Sequence, residues 1–232
     1  MARIAVLGVG DGGQGGEGVP EPIRELASPG VEPVLVELKG SAFPGTPEGR
    51  AIAERAYVAA GIEAARAGCD AILVNTVGDY GLAALRAQVP VPVVGCGEAA
   101  VRAAQARGGV QGGGFAIVTL WPPRMGFIYR HVLADAGAQD DCRAIRFLSR
   151  DEDLETLHQG GDPISEFMTC GFAPMQEVRR VCEATLAETG ADALITGCTC
   201  MAGMLPILEG WGLPVVEPMR AGWRAAEALA RR

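Results

Sequence analysis

Cys198 is the side chain in this sequence that is best placed to do chemistry. It follows the apolar run of residues 193–196 and precedes a turn of small residues. A buried strand that runs into such a turn places the next side chain at the carboxyl end of the sheet, where ligands bind in open α/β folds. Backbone N–H groups of the turn, and a helix predicted from about Met201, should lower the pKa of the thiol and hold an anionic substrate group. We therefore expect Cys198 to donate or accept a proton.

An internal repeat gives Cys198 a counterpart. Residues 68–76 align with residues 190–198 at a constant offset of 122, and the same offset aligns 92–94 with 214–216 and 102–104 with 224–226. Two similar halves predict two similar structural units. A ligand in a cleft between them would meet equivalent positions from opposite sides. Those positions are Thr76 and Cys198.

The elements that would position these side chains follow a βαβ pattern, because short apolar runs alternate with alanine-rich stretches. Thr46 and Pro47 are typical of a helix start, so a helix is predicted from there to about Ala67. Further helices are predicted near 122–136, 174–189 and 218–232. Strands are predicted near 3–8, 33–38, 71–76, 92–95, 114–120, 143–148, 193–197 and 214–217. The predicted fold is α/β, with two pseudo-symmetric Rossmann-like lobes that each contain a parallel four-stranded sheet.

We place the N-terminal lobe at residues 1–110 and the C-terminal lobe at residues 111–232. The last helix, 218–232, is expected to cross back and pack on the N-terminal lobe. Residues 149–173 form the least regular stretch, and we interpret them as a lid or an interface segment.

Composition excludes several classes of function. A formal net charge of −8 and a pI of about 4.9 argue against nucleic acid or an anionic membrane as partner. No apolar run reaches the length of a membrane span, and the N-terminal apolar run is too short for a signal peptide. Seven cysteines without the spacing of a disulfide scaffold fit a reducing compartment. We expect a cytoplasmic protein that acts on a small molecule; whether it forms a homo-oligomer is left open.

The two halves resemble the aspartate/glutamate/hydantoin racemase superfamily, and most closely its hydantoin (allantoin) racemase branch. Residues 197–199, Gly-Cys-Thr, match the second-cysteine motif of that superfamily. Residues 77–82, Val-Gly-Asp-Tyr-Gly-Leu, resemble the Gly-Asp-x-Gly-Leu stretch that follows the first cysteine in hydantoin racemases. The resemblance implies an active site in the cleft between the lobes. It also implies that two cysteines remove and return a proton α to a carbonyl, with no metal and no organic cofactor.

The first of those two cysteines is missing. The repeat puts Thr76 at its position, and an alternative alignment puts Val74 there. An unassisted alcohol has too high a pKa to act as a base, so Thr76 is expected to orient a carbonyl or to donate a hydrogen bond to a developing enolate. The predicted catalytic residues are Cys198 and Thr76. The predicted substrate-binding residues are Asn75, Val77, Gly78, Thr119, Thr199 and Cys200.

Several functions remain open at this point. The first is a cofactor-independent racemase or isomerase acting on a hydantoin, an amino acid or a related carboxylate. The second is a single-cysteine decarboxylase or lyase resembling arylmalonate decarboxylase. A dinucleotide-binding oxidoreductase is a third, because residues 8–13 read G-x-G-x-x-G, but the glycines and prolines up to Pro22 oppose the helix that such a site requires. A non-catalytic small-molecule binding protein is the fourth.

Other cysteines and histidines point less clearly to chemistry. Cys198 and Cys200 form a C-x-C pair, but no second pair completes a metal site, so no metal is predicted. Cys200 is expected to pack, with the alternative that it tunes or protects Cys198. His131 is expected on a helix surface, His158 lies in the irregular segment, and neither spacing marks a catalytic dyad.

Overall fold

The computed structural model describes residues 1–8, 18–41, 44–107, 112–153 and 175–231. Contacts divide the chain into two compact units, Met1–Ala99 with Met219–Arg232, and Ala100–Pro218. The lobe boundary expected at 110/111 lies outside the described residues, as does all but the start of the 149–173 segment.

The first unit contains a four-stranded parallel sheet. Its strands are β1 (Ala2–Leu7), β2 (Val31–Val36), β3 (Ala71–Val74) and β4 (Val93–Gly95), in the order β2-β1-β3-β4. Its helices are α1 (Glu21–Leu26), α2 (Pro47–Arg66), α3 (Leu82–Arg86), the start of α4 (Cys96–Arg107), and α8 (Pro218–Ala230).

Helices cover both faces of β3, which is why this strand is apolar without alternation. Ile72 and Val74 belong to a buried cluster with alanines of α2 and with Leu85 of α3. On the other face, α8 comes so close to Leu73 that a Cβ on Gly222 would lie 2.9 Å from a methyl group of that leucine. The α2 helix begins as predicted, since the Thr46 hydroxyl accepts a hydrogen bond from the Gly49 N–H at 3.1 Å.

The second unit repeats this arrangement. Its sheet contains β5 (Phe115–Thr119), β6 (Cys142–Phe147), β7 (Ala193–Thr196) and β8 (Val215–Val216), in the order β6-β5-β7-β8. Its helices are the rest of α4, α5 (Phe127–Ala136), α6 (Met175–Thr189) and α7 (Leu205–Gly210), with 3₁₀ helices at Pro123–Gly126 and Thr199–Met204.

The two sheets have the same topology, and the 122-residue offset persists in three pairs of elements. β3 and β7 begin at residues 71 and 193, β4 and β8 at 93 and 215, and α4 and α8 at 96 and 218. All pairings between strands are parallel. The predicted α/β fold with two parallel four-stranded sheets is confirmed.

One predicted element is wrong in detail. The chain after Cys198 does not enter an α-helix at Met201; it forms the 3₁₀ helix Thr199–Met204 and then α7. Pro206 accounts for the break, because its ring would clash with the carbonyl of Ala202 in a continuous α-helix. The proline instead occupies the first turn of α7, where its missing N–H costs nothing.

Helices within the described residues are too short or too polar to cross a membrane.

Candidate active site

The loop after β7, which we call the β7 loop, consists of residues 197–200. It is held to its own sheet by a hydrogen bond from the Gly197 N–H to the carbonyl of Val118, at 2.8 Å. Cys198 has extended backbone and caps the 3₁₀ helix, since its carbonyl accepts from the Met201 N–H at 3.0 Å. The Cys198 side chain is half-buried, and Thr199 and Cys200 are half-buried beside it. The strand end and the turn therefore place Cys198 where the sequence predicted.

The state of the Cys198 sulfur differs from the prediction. Cys198 and Cys200 are joined by a disulfide, with their Cα atoms 5.1 Å apart. The expectation that Cys200 only packs is therefore wrong. The two side chains meet at the start of the 3₁₀ helix, where Cys198 is the extended N-cap residue and the Cys200 N–H lies 3.1 Å from the Cys198 Sγ. A disulfide sulfur holds no proton, so Cys198 cannot act as a general acid or base in this form.

Two buried hydroxyl groups, those of Thr119 and Tyr129, hold the start of the β7 loop in place. The Tyr129 hydroxyl of α5 donates to the Gly197 carbonyl at 2.7 Å and lies within hydrogen-bond distance of the Thr119 hydroxyl. The Thr119 oxygen also accepts from the Trp121 N–H at 3.1 Å. Thr119 is fully buried, so its hydroxyl holds neighbouring residues of the protein in place. Thr119 was predicted to bind substrate, and its contacts indicate a positioning role instead.

Gly197 is required by this packing. A Cβ at this position would lie 2.4 Å from the Cβ of Thr119 and 2.9 Å from the Tyr129 hydroxyl. Neither neighbour can move freely, because both are buried. The glycine thus allows the strand end of β7 to approach β5 and α5 closely enough for the hydroxyl pair to reach the loop.

The loop after β3, which we call the β3 loop, consists of residues 75–79. The Thr76 hydroxyl accepts from the Gly78 N–H at 3.3 Å, and the Thr76 side chain is half-buried. Asn75 is buried, and its side-chain oxygen accepts a weak hydrogen bond from the Cys96 thiol at 3.6 Å. Val77 and Gly78 are buried as well. Thr76 therefore has the exposure that contact with a ligand requires, as does Asp79, while Asn75 has an internal partner.

Asp79 fastens the β3 loop to the start of α4. Its carboxylate accepts the N–H of Gly97 at 2.9 Å and that of Glu98 at 2.6 Å, which are donors that the helix itself leaves unpaired. Asp79 has φ of 46°, in the left-handed region that Asp tolerates better than most residues. Gly95 makes room for it, since a Cβ there would lie 2.4 Å from the carboxyl carbon.

Burial raises the pKa of Asp79 to about 7. The two backbone hydrogen bonds oppose this shift, and so does the charge of Arg86, whereas the charge of Glu98 adds to it. Arg86 and Glu98 pair with each other at 2.7 Å, so their effects on Asp79 partly cancel.

The structure thus places the predicted residues other than Thr119 in two loops of equivalent position, one in each unit. The exposed His131 side chain contacts the Phe127 carbonyl of its own helix, as expected for a surface histidine. His158 and residues 9–13 of the glycine-rich motif lie outside the described residues. In the described part of the chain, no three His, Cys, Asp or Glu side chains cluster closely enough to hold a metal ion.

Sequence reasoning missed two supporting residues. Tyr129 lies on an apolar helix face, and a buried tyrosine needs a partner for its hydroxyl, but nothing local shows that the partner is Gly197. Asp79 was noted only as part of a motif. Its role depends on the N-terminus of α4, a helix that begins 17 residues later.

Comparison with known proteins agrees with the fold. The sequence profile described as Asp/Glu/Hydantoin racemase matches residues 21–226. The hydantoin racemase of Rhizobium meliloti is 30% identical over 163 residues, which cover 70% of this chain and 61% of that protein. The match therefore spans less than two thirds of the length of this curated relative.

Solved structures extend the comparison over the whole chain. The allantoin racemase from Klebsiella pneumoniae has 26% sequence identity and a TM-score of 0.78, covering 100% of this chain and 88% of that one. An arylmalonate decarboxylase, at 14% identity and a TM-score of 0.59 over 98% of this chain and 92% of that one, shares the fold. Since the family profile matches most of its length, the chain belongs to the Asp/Glu/hydantoin racemase family.

Proposed function

We propose that this protein is a racemase or isomerase of a carbon acid, and that its substrate is a hydantoin or a closely related cyclic ureide. Membership of the family supports the reaction type. The similarity to a hydantoin racemase and to an allantoin racemase supports the substrate class. The observation that carries the proposal is the position of Cys198, half-buried at the carboxyl end of β7 in a loop of small residues.

In this proposal the reduced Cys198 performs the proton transfer. Its thiolate removes the proton from the carbon α to the carbonyl, and the electrons of the C–H bond move to the carbonyl oxygen to give an enolate. Return of a proton from solvent to the opposite face of that carbon gives the other enantiomer, whereas return by the same thiol regenerates the starting one. General acid–base catalysis of this kind contributes about 10²–10⁴ to a rate. Because a disulfide cannot take part, the Cys198–Cys200 bond must be reduced first.

Thr76 is proposed to stabilise the enolate. Its oxygen accepts the Gly78 N–H, which uses a lone pair and leaves the hydroxyl hydrogen to donate. A hydrogen bond that strengthens as charge develops on the carbonyl oxygen lowers the barrier to enolate formation. That Thr76 and Cys198 serve the same substrate stays a prediction.

A single-thiol decarboxylase is the second candidate. One specific observation favours it, namely that Thr76 occupies the position that the resemblance assigns to the first cysteine. An enzyme with one thiol protonates an enolate from one face, and loss of CO₂ generates that enolate without a second base.

Incubation of the reduced protein in D₂O separates these functions. Single enantiomers of hydantoins, allantoin and amino acids, and disubstituted malonates, are offered in turn. Loss of optical rotation with deuterium uptake supports racemisation, and uptake without loss of rotation supports exchange on one face. CO₂ release supports decarboxylation.

Two variants assign the reaction to Cys198. We expect Cys198→Ala to lower turnover about 10²-fold or more, since it removes the acid–base group. Cys142→Ser, which changes a thiol on β6 far along the chain from either loop, serves as the control and should retain turnover. Equal activity in Cys198→Ala and in the wild-type protein would contradict the proposal, and ligand binding without turnover in the wild type would indicate a binding protein.

A further inference from the structure

We propose that Cys198 and Cys200 form a reversible disulfide site that switches the proton-transfer sulfur off, through exchange with low-molecular-weight thiols and disulfides. The inference rests on the proposed function of Cys198 and names its regulation.

The geometry of the loop favours this pair over other pairings of the described cysteines. The Cα atoms lie 5.1 Å apart, within the range that disulfides occupy, and two residues of separation make ring closure a local event. The backbone does not have to rearrange elsewhere, because the 3₁₀ helix that begins at Thr199 already directs the Cys200 N–H to the Cys198 Sγ at 3.1 Å.

Accessibility distinguishes the pair as well. Cys198 and Cys200 are half-buried, as is Cys142, whereas Cys69, Cys96 and Cys182 are buried. Burial raises the pKa of Cys142 and of Cys182 to about 11, so these thiols hold little of the thiolate that exchange requires.

The oxidant in this exchange is a small disulfide such as oxidised glutathione. One thiolate of the pair attacks the small disulfide, forms a mixed disulfide and releases one glutathione thiol. The other thiolate then attacks the mixed disulfide, closes the Cys198–Cys200 bond and releases the second glutathione thiol. The pair loses two electrons and two protons, which the two released thiols carry. A dithiol reductant reverses both steps.

The consequence for activity follows from the chemistry of the sulfur. While it is bonded to Cys200, Cys198 cannot take or return a proton, so turnover should fall by about 10²-fold or more. It also cannot be alkylated, and the bonded form resists further oxidation of the thiol to sulfinic acid. The disulfide thus makes the loss of activity recoverable.

The experiment equilibrates the protein at stepped ratios of oxidised to reduced glutathione, blocks free thiols with iodoacetamide, and cleaves after glutamate. Cleavage at Glu188 and Glu209 releases residues 189–209, whose only cysteines are Cys198 and Cys200. We expect this peptide to change from two alkylated thiols to none, with a mass two hydrogens below the dithiol form, and dithiothreitol to restore both thiols. Activity of the same samples should follow the alkylated fraction.

Two variants sharpen the test. In Cys200→Ser, oxidised glutathione can convert Cys198 only to a mixed disulfide, so the peptide should carry either an alkylated Cys198 or a glutathione adduct that dithiothreitol removes, and activity should follow the alkylated fraction. Cys142→Ser should behave as the wild type.

A peptide that keeps two alkylatable thiols at every ratio overturns the inference and leaves the proposed function standing. A peptide that forms the disulfide without loss of turnover also overturns it. If the reduced protein turns over none of the substrates, the proposed function fails. Loss of Cys198 alkylation in oxidising buffer still shows whether the Cys198–Cys200 disulfide forms.

Discussion

Thr76 and Cys198, 122 residues apart, accept equivalent hydrogen bonds. The Gly78 N–H donates to the Thr76 hydroxyl at 3.3 Å, and the Cys200 N–H lies 3.1 Å from the Cys198 sulfur. Each side chain directly follows the residue after its strand, β3 or β7. The repeat in the sequence therefore persists at the level of individual backbone donors. This correspondence is the reason to regard Thr76 as the counterpart of the missing first cysteine.

Thr76→Cys tests that correspondence. A thiol here would supply the second acid–base group, and we expect the rate of racemisation of a hydantoin to rise about tenfold or more under reducing conditions. Optical rotation and deuterium uptake measure the change. Thr76→Ser, which keeps a hydroxyl, is the matched control and should not gain racemase activity. A folded Thr76→Cys protein that binds ligand but gains no racemase activity would show that Thr76 and Cys198 do not serve the same substrate.

Tyr129→Phe tests the support of the β7 loop. The substitution removes the donor to the Gly197 carbonyl and leaves that carbonyl buried without its partner, which costs about 1–3 kcal/mol. We expect the free energy of unfolding, measured by urea titration, to fall by this amount, and turnover to fall with it as the loop loses its fixed position. Phe127→Leu, a change on the same helix outside the hydroxyl pair, is the control. Unchanged stability in Tyr129→Phe would refute the supporting role.

Gly197→Ala tests the close approach of β7 to Thr119. The added Cβ would lie 2.4 Å from the Thr119 Cβ, so a buried neighbour must shift, and overpacking of this kind costs about 1–3 kcal/mol. The matched control is Gly203→Ala in the adjacent 3₁₀ helix, where an added Cβ meets nothing within 4 Å. Thermal or urea unfolding of both variants measures the difference. Equal stabilities would mean that the strand end relaxes without cost.

Asp79→Asn tests how the β3 loop responds to pH. Because the folded protein raises the pKa of this carboxyl from 3.8 to about 7, the native state binds a proton more tightly than the unfolded chain. Its contribution to stability is thus complete below pH 3.8 and is lost as the pH rises to about 7. We expect the free energy of unfolding of the wild type to fall across this range relative to that of Asp79→Asn.

Urea titrations at several pH values supply the measurement. Asp140→Asn, which alters an exposed carboxyl in a turn, is the control and should keep the wild-type pH dependence. If Asp79→Asn has the same slope with pH as the wild type, the carboxyl does not titrate in this range.

The sequence alone was sufficient for most of the elements and for the position of Cys198 at the carboxyl end of β7. The eight strands, the capped start of α2 and the 122-residue repeat are local features, because apolar runs, caps and periodicity depend on neighbours in the chain. The position of Cys198 two residues after the end of β7 is local in the same sense. The resemblance to the racemase family rests on two short local motifs, residues 77–82 and 197–199. The family profile confirms membership of that family.

Only the tertiary structure decided what surrounds those positions. The Cys198–Cys200 bond depends on the path of a 3₁₀ turn that Pro206 enforces in place of the predicted α-helix. The contact of Tyr129 with Gly197 joins residues 68 positions apart, and the cap by Asp79 joins the β3 loop to α4. Burial of Asn75 and Thr119, both predicted to contact substrate, likewise depends on how strands and helices pack. Such contacts arise between segments that are distant in sequence, so no local pattern of residues encodes them.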